Sequence, residues 1–148
     1  MRLSFSTRGW AHMSWDEWVD AAISTKFEGI EVYNLPGSPD LTERSGPFHK
    51  YNMAATVRQL HEKNLTIPCL DTSYDISDEE KEFVPAIREL ISIAKQMQVP
   101  YVSVVALHDN EELVRANITT LLKDAEDANV SILVKTSGIF ADTARLRT

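Results

Sequence analysis

Lys135 follows directly on the apolar run Val130 to Val134 and precedes a Thr136-Ser137-Gly138 turn. It therefore closes a strand and projects from its end. A lysine so placed could bind an anionic sugar, or form a Schiff base if burial lowered its pKa. The plainer account is a lysine that faces water or pairs with Glu31. Glu31 and Tyr33 fall on the same side of the stretch GIEVYN. A buried Glu31 could act as a general base, or serve only as a structural hydrogen-bonding or ion-pairing group. Arg8 and Trp10 follow the first alternating stretch, where they could line a substrate mouth; packing of Trp10 under the next helix accounts for it equally well. Thr136, Ser137 and Gly138 either cradle a phosphate with helix N-terminal amides or form an ordinary capped turn.

Other chemistries find no support. STRGWAH, after the first strand, has neither the G-x-G-x-x-G nor the P-loop spacing. Cys69 is the single cysteine, so neither an intrachain disulfide nor a cysteine metal cluster can form, which fits a reducing compartment. His12, His49 and His61 lack an i, i+4 metal-binding pairing and read as surface residues. A formal net charge of −7 with lysines and arginines scattered singly opposes nucleic-acid binding. The amino terminus lacks the ~7–15 apolar residues of a secretory signal, and no run approaches the roughly 20 needed to cross a bilayer. A cytoplasmic protein is expected, and the sequons at Asn64 and Asn117 are then chance matches.

The elements that must position these residues are legible in the pattern. With 148 residues, 43% of them hydrophobic, the chain is expected to form a single domain over 1–148. Leu3–Thr7, Gly29–Asn34, Leu65–Asp71, Val99–Leu107 and Val130–Val134 read as strands, the third interrupted by Pro68. Between them lie helices over about 14–26 and 48–63, a third from Ser77 whose stripe runs to Met97, with Pro85 marking a kink or the real start, and a fourth from Asp109 whose stripe runs to Ala125. Ser14/Glu17, Ser77/Glu80 and Asp109/Glu112 supply capping spacing, and a further helical start is read from Phe140 to Arg147. The apolar positions Trp15, Trp18, Val19, Ala22 and Ile23 give the first helix one buried stripe. The segment 35–47, rich in Pro and Gly, reads as a long loop forming a mouth or lid. Strict strand–helix alternation without hairpin signals gives a parallel α/β chain. A flavodoxin-like doubly wound sheet is the alternative. Polar residues alternating at Ser4, Ser6, Glu31 and Tyr33 favour a sheet covered by helices on one face only.

LSFSTRGW, GIEVYN, LTIPCLDTS, VPYVSVVALH and SILVKTSGIFADTARLR together resemble the amino-terminal half of the sugar phosphate isomerase/epimerase family, the xylose isomerase-like (β/α)8 barrels. The resemblance extends over essentially the whole chain, and GIEVYN and TSGIFADTARLR are its most specific pieces. It implies an active site at the C-terminal ends of the strands. There a divalent metal (Mn²⁺, Mg²⁺ or Zn²⁺) is held by carboxylates and a histidine from strands five to eight, and acidic residues shuttle a proton between sugar carbons. It also implies polar substrate or metal contacts at the ends of strands three and four, here Asp71 and His108; solvent-facing loop positions are the competing account, with His108 opening the turn before Asp109. The family's first ligand is a glutamate in a sequence of the type LETSG, and Lys135 stands in its place. A charged lysine has no lone pair to give a metal.

A complete barrel needs about 250 residues. The expectation is therefore a partial barrel of about five strands without a complete metal site. Lys135 and Glu31 are its candidate catalytic residues; Arg8, Trp10, Tyr33, Asp71 and His108 are its candidate substrate contacts, and no metal ligand or cofactor is assigned to this chain. A binding or scaffold module completed by self-association or by a partner chain is the second reading. An apurinic endonuclease relative is the weakest, since it needs several histidine ligands and a basic face. Open edge strands and an uncovered sheet face predict self-association, most simply as a two-fold dimer.

Overall fold

Ser14 starts the first helix as its spacing predicts. Its hydroxyl accepts from the Glu17 amide while the Glu17 carboxylate accepts from the Ser14 amide at 2.7 Å, so the first turn leaves neither donor unpaired. In this computed structural model the described residues are 2–142 and 144, apart from the side chains of 80–82. The elements are β1 (Ser4–Ser6), α1 (Trp15–Thr25), β2 (Gly29–Tyr33), α2 (Pro39–Thr42), α3 (Met53–Glu62), β3 (Cys69–Asp75), α4 (Glu80–Met97), β4 (Tyr101–Val105), α5 (Glu111–Ala128) and β5 (Ser131–Val134), with 3-10 turns at Thr7–Gly9, Leu35–Gly37 and Gly138–Ala141.

All pairings are parallel and the five-stranded sheet has the sequential order β1-β2-β3-β4-β5. Right-handed crossovers between sequential neighbours place every helix on the same face. A doubly wound sheet would reverse direction partway, so the flavodoxin-like alternative is excluded. The helix-covered face carries Ile30, Val32, Leu70, Val102 and Val104, all fully buried against α1, α4 and α5 residues such as Ala22, Ile87 and Leu121. On the other face the register aligns Tyr33 with Asp71, Asp71 with Ser103 and Ser103 with Leu133. Tyr101 and Leu133 are exposed there.

Each helix-to-strand turn is closed by the same device. Lys26, Asn64, Gln98 and Asn129 adopt left-handed φ of 54–60°, and the amides that follow bond back into the helix, as in Phe27 N–H to Ala22 O at 2.9 Å. The chain is thereby turned into the next strand within two or three residues, except after Asn64, where β3 starts five residues on at Cys69.

Several boundaries differ from the sequence reading, each for a local reason. Pro68 has no amide for the ladder, so it interrupts the strand as expected: Thr66 makes an isolated parallel bridge to Gly29, and β3 proper begins after Pro68 and runs on to Asp75, with a register shift between Asp71 and Asp75. Asp71 is thus an interior position of the strand. The helix expected from residue 48 starts at Met53, because Phe48 is buried against the Trp15 ring at 5.4 Å and the Asn52 side-chain Nδ2 donates to Arg44 O and Gly46 O. Neither Ser77 nor Asp109 is the cap of its helix: Glu79 precedes α4, and Asn110 caps α5 by accepting from the Leu113 amide. Ile23 and Leu122, read as stripe positions, are 45% and 44% exposed because they lie at the margins of their helices' buried faces. The start expected at Phe140 is a short 3-10 turn, and most of residues 140–147 beyond it lies outside the described residues. Among the described residues no helix is long and apolar enough to cross a membrane.

Candidate functional site

The C-terminal ends of β1, β2, β3 and β5 bring a cation–carboxylate–phenol group together on the open face. Lys135, just past β5, reaches back across β4: its Nζ lies 2.6 Å from Asp71 Oδ1 and donates to the Thr72 carbonyl at 2.9 Å. The reach is fixed by the Lys135 amide, which donates to Val104 O at 2.9 Å and so continues the β4–β5 ladder. Asp71 is buried and also accepts from the Ser103 hydroxyl of β4. Thr72 locks the same two strands by donating to Ser103 O at 2.6 Å. The ion pair that the sequence allowed between Lys135 and Glu31 is made to Asp71 instead.

Tyr33 lies between two cations. The Arg8 guanidinium stands 4.8 Å from its ring centroid and Lys135 Nζ 6.0 Å, within or at the edge of cation–π range. Its amide donates to the Thr7 hydroxyl at 2.9 Å, and its phenol oxygen shares a 2.9 Å hydrogen bond with Ser73. The Ser73 hydrogen bond, followed by that of Arg8 and the charges of Arg8 and Lys135, draws the Tyr33 phenol below its ordinary pKa. Such a phenol is a better proton donor to a ligand oxygen. Glu31 sits one pleat earlier on the same face, in register with Ser6. Cys69, also on this face, is no nucleophile: burial and the charges of Glu31 and Asp71 push its thiol up to about 11, leaving it neutral at pH 7. Trp10 is 44% exposed, stacks on Phe5 at 5.9 Å, and through its carbonyl accepts from the Trp18 indole at 3.0 Å. It is a rim residue pinned to α1.

His108 does not join this group. It follows β4 and faces a separate cluster, 3.6 Å from Asp75 and 3.7 Å from Asp78. The sequence reading missed Asp75, Asp78, Ser73, Ser103 and Thr7. The spacing of Asp75 and Asp78 in YDISD was a usable signal, obscured because Ser77 was read as a helix cap. Burial raises the Asp75 pKa, but the Ser77 hydroxyl and amide, the Leu107 amide and the nearby His108 together outweigh it and hold the carboxyl below its usual range. The Thr136-Ser137-Gly138 turn shows no phosphate cradle: it opens only a four-residue 3-10 turn, and the Ile139 amide donates to Ala106 O at 3.0 Å.

A cavity of about 680 Å³ lies beside this face between α1, α3 and the segment 34–47, and meets it at Thr7 and Tyr33. Among the described residues its walls bear the carboxylates of Asp16 and Asp40 and no lysine, arginine or histidine. The cations Arg8 and Lys135 thus stand at the strand ends and not in the cleft.

Parallel strands in sequential order, helices on one face and polar groups at the strands' C-terminal ends are the architecture of half a (β/α)8 barrel. Solved structures of xylose isomerase-like barrels share it. They include a probable 3-DHS dehydratase, AsbF, involved in petrobactin synthesis, from Bacillus anthracis (17% identity, TM-score 0.71, 93% of this chain and 53% of that one). A xylose isomerase domain containing protein from Salmonella typhimurium (14%, 0.72, 90% and 48%) and the IolI protein, solved with a zinc atom (15%, 0.71, 90% and 51%), are also similar. The chain thus spans about half the length of these structures. No protein-family model and no curated protein sequence matches it. The metal ligand that the fold family would place at the end of β5 does not fit this chain. Lys135 occupies that place with its ammonium engaged by Asp71 and Thr72.

Proposed function

We propose that this chain is a sugar isomerase/epimerase-like half-barrel whose open face binds a small anionic sugar without a metal at the end of β5. The observation that carries this reading is the convergence of Arg8, Lys135, Tyr33 and Ser73 at the strand ends, where barrel enzymes of this architecture place their ligands. Arg8 supplies the positive charge for a phosphate or carboxylate, and Lys135, already paired with Asp71 and bonded to the Thr72 carbonyl, adds its remaining N–H donor. Tyr33 and Ser73 offer hydroxyls, and Glu31 lies on the same face as a candidate base. Calorimetric titration with a panel of sugar phosphates and the matching neutral sugars tests it. Sugar phosphates are expected to bind, with Arg8→Ala weakening them about tenfold, an effect on the order of 1.4 kcal/mol. Equal affinity for neutral and phosphorylated sugars would sink the reading. Isomerase assays with Mn²⁺ or Mg²⁺, before and after Lys135→Glu, bear on the catalytic part. Turnover appearing only with the glutamate would mark Lys135 as the reason a metal-dependent reaction is lost.

A non-catalytic module completed by a second copy of the chain is the other reading. It is favoured by the exposed Tyr101 and Leu133 on the open face and by the edge positions of β1 and β5. A dimer by light scattering at high micromolar concentration is the expected result; a monodisperse monomer would contradict it.

A further inference from the structure

The end of β3, beside the loop after β4, holds a carboxylate that the rest of the molecule does not explain. Asp75 has a side chain only 9% exposed. One of its oxygens, Oδ1, accepts from the Ser77 amide at 2.9 Å, the Ser77 hydroxyl and the Leu107 amide at 3.1 Å. The other, Oδ2, is buried and has no hydrogen-bond partner. A buried carboxylate oxygen left bare costs free energy, so its direction is informative. It points to His108 Nε2, 3.6 Å away and beyond hydrogen-bonding distance, and the same nitrogen is 3.7 Å from Asp78 Oδ1. One ligand atom from each of Asp75, Asp78 and His108 lies within 4.8 Å of the others.

We infer that Asp75, Asp78 and His108 form a binding site for a divalent transition-metal cation such as Zn²⁺ or Co²⁺. Two carboxylate oxygens and an imidazole nitrogen are the mixed donor set such ions take, leaving positions open to water or a ligand oxygen. With metal–ligand bonds of about 2.0–2.2 Å, tetrahedral ligand atoms stand about 3.3–3.6 Å apart, so the observed spacings need to close by only a few tenths of an ångström around His108. The scaffold is built before the ion arrives. Asn117, buried on α5, donates to Ile76 O at 2.9 Å and to Asp78 O at 3.0 Å, holding the backbone between the two aspartates. The His108 amide donates to the Ser77 hydroxyl at 2.9 Å, tying the β4 loop to the same turn. Such outer contacts orient ligands and raise affinity. Asp78 and His108 are 50% and 68% exposed, which gives an ion its entry path. The site lies at the same end of the sheet as the Lys135 group but shares no residue with it, so it stands or falls independently of the sugar reading.

Titration of the tag-free chain with Co²⁺, followed by visible absorption, and with Zn²⁺, followed by calorimetry, tests the site. One equivalent is expected to bind and to raise the melting temperature. Asp78 and His108 are exposed, so replacing them leaves the fold intact, as far-UV circular dichroism will check. His108→Ala and Asp78→Asn are each expected to weaken binding about 10- to 100-fold, while His61→Ala, on α3, changes nothing. Saturable binding that survives His108→Ala, or the absence of saturable binding by the unaltered chain, overturns the inference.

Discussion

Replacing Lys135 with methionine is expected to destabilise the fold by about 2–4 kcal/mol, although the position is at a strand end. The charge of Asp71, whose side chain is 8% exposed, would be left with the Ser103 hydroxyl as its remaining partner. Breaking a buried pair by removing one partner costs ~3–5 kcal/mol; here the 26% exposure of the lysine side chain places the figure at the lower end. Asp71→Asn is expected to cost less, because the lysine can turn its ammonium toward solvent, whereas Asp71 cannot reach water. The double variant Lys135→Met/Asp71→Asn should recover much of the loss, since no buried charge is then unpaired. Urea unfolding of the three proteins measures this. A larger loss for Asp71→Asn than for Lys135→Met would mean that the pair is not organised around a buried carboxylate.

Gly138→Ala is expected to be comparably damaging, by about 2–4 kcal/mol. Gly138 has φ +58°, and a Cβ there would stand 2.0 Å from Ala106 O and 2.8 Å from Leu107 Cα. The three nearest atoms are all backbone, so no flexible side chain can give way. The same substitution would push the turn after Lys135 away from the end of β4, so weaker sugar phosphate binding should accompany the stability loss. A variant as stable as the parent would show that the turn does not approach β4 so closely.

Much of the architecture could be read from residue types alone. Ser14 and Glu17 announced α1, and the alternation of Ser4, Ser6, Glu31 and Tyr33 indicated a sheet covered on one face, which separated a barrel half from a doubly wound sheet. What could not be read was register. Whether Lys135 meets Glu31 or Asp71 depends on how far β3 and β5 slide relative to β4, and Pro68 shifted the body of β3 toward Asp75 by interrupting the ladder after the bridge at Thr66. The same displacement hid the Asp75 cluster, since YDISD lies on a strand end and turn only if β3 continues past Asp71. The pairing of Arg8 with Tyr33 across β1 and β2 follows from the 3-10 turn at Thr7–Gly9, a feature without a hydrophobic period to betray it.

The central claim, that an anionic sugar is held on the strand ends and not in the larger cleft, is tested most directly by amide and side-chain chemical-shift mapping with a sugar phosphate. Perturbations are expected at Arg8, Tyr33, Ser73 and Lys135, with Asp40, Asn52 and Gln59 of the cleft changing little. Shifts concentrated at those cleft residues, with the Lys135 ammonium and the Tyr33 ring unmoved, would contradict the account.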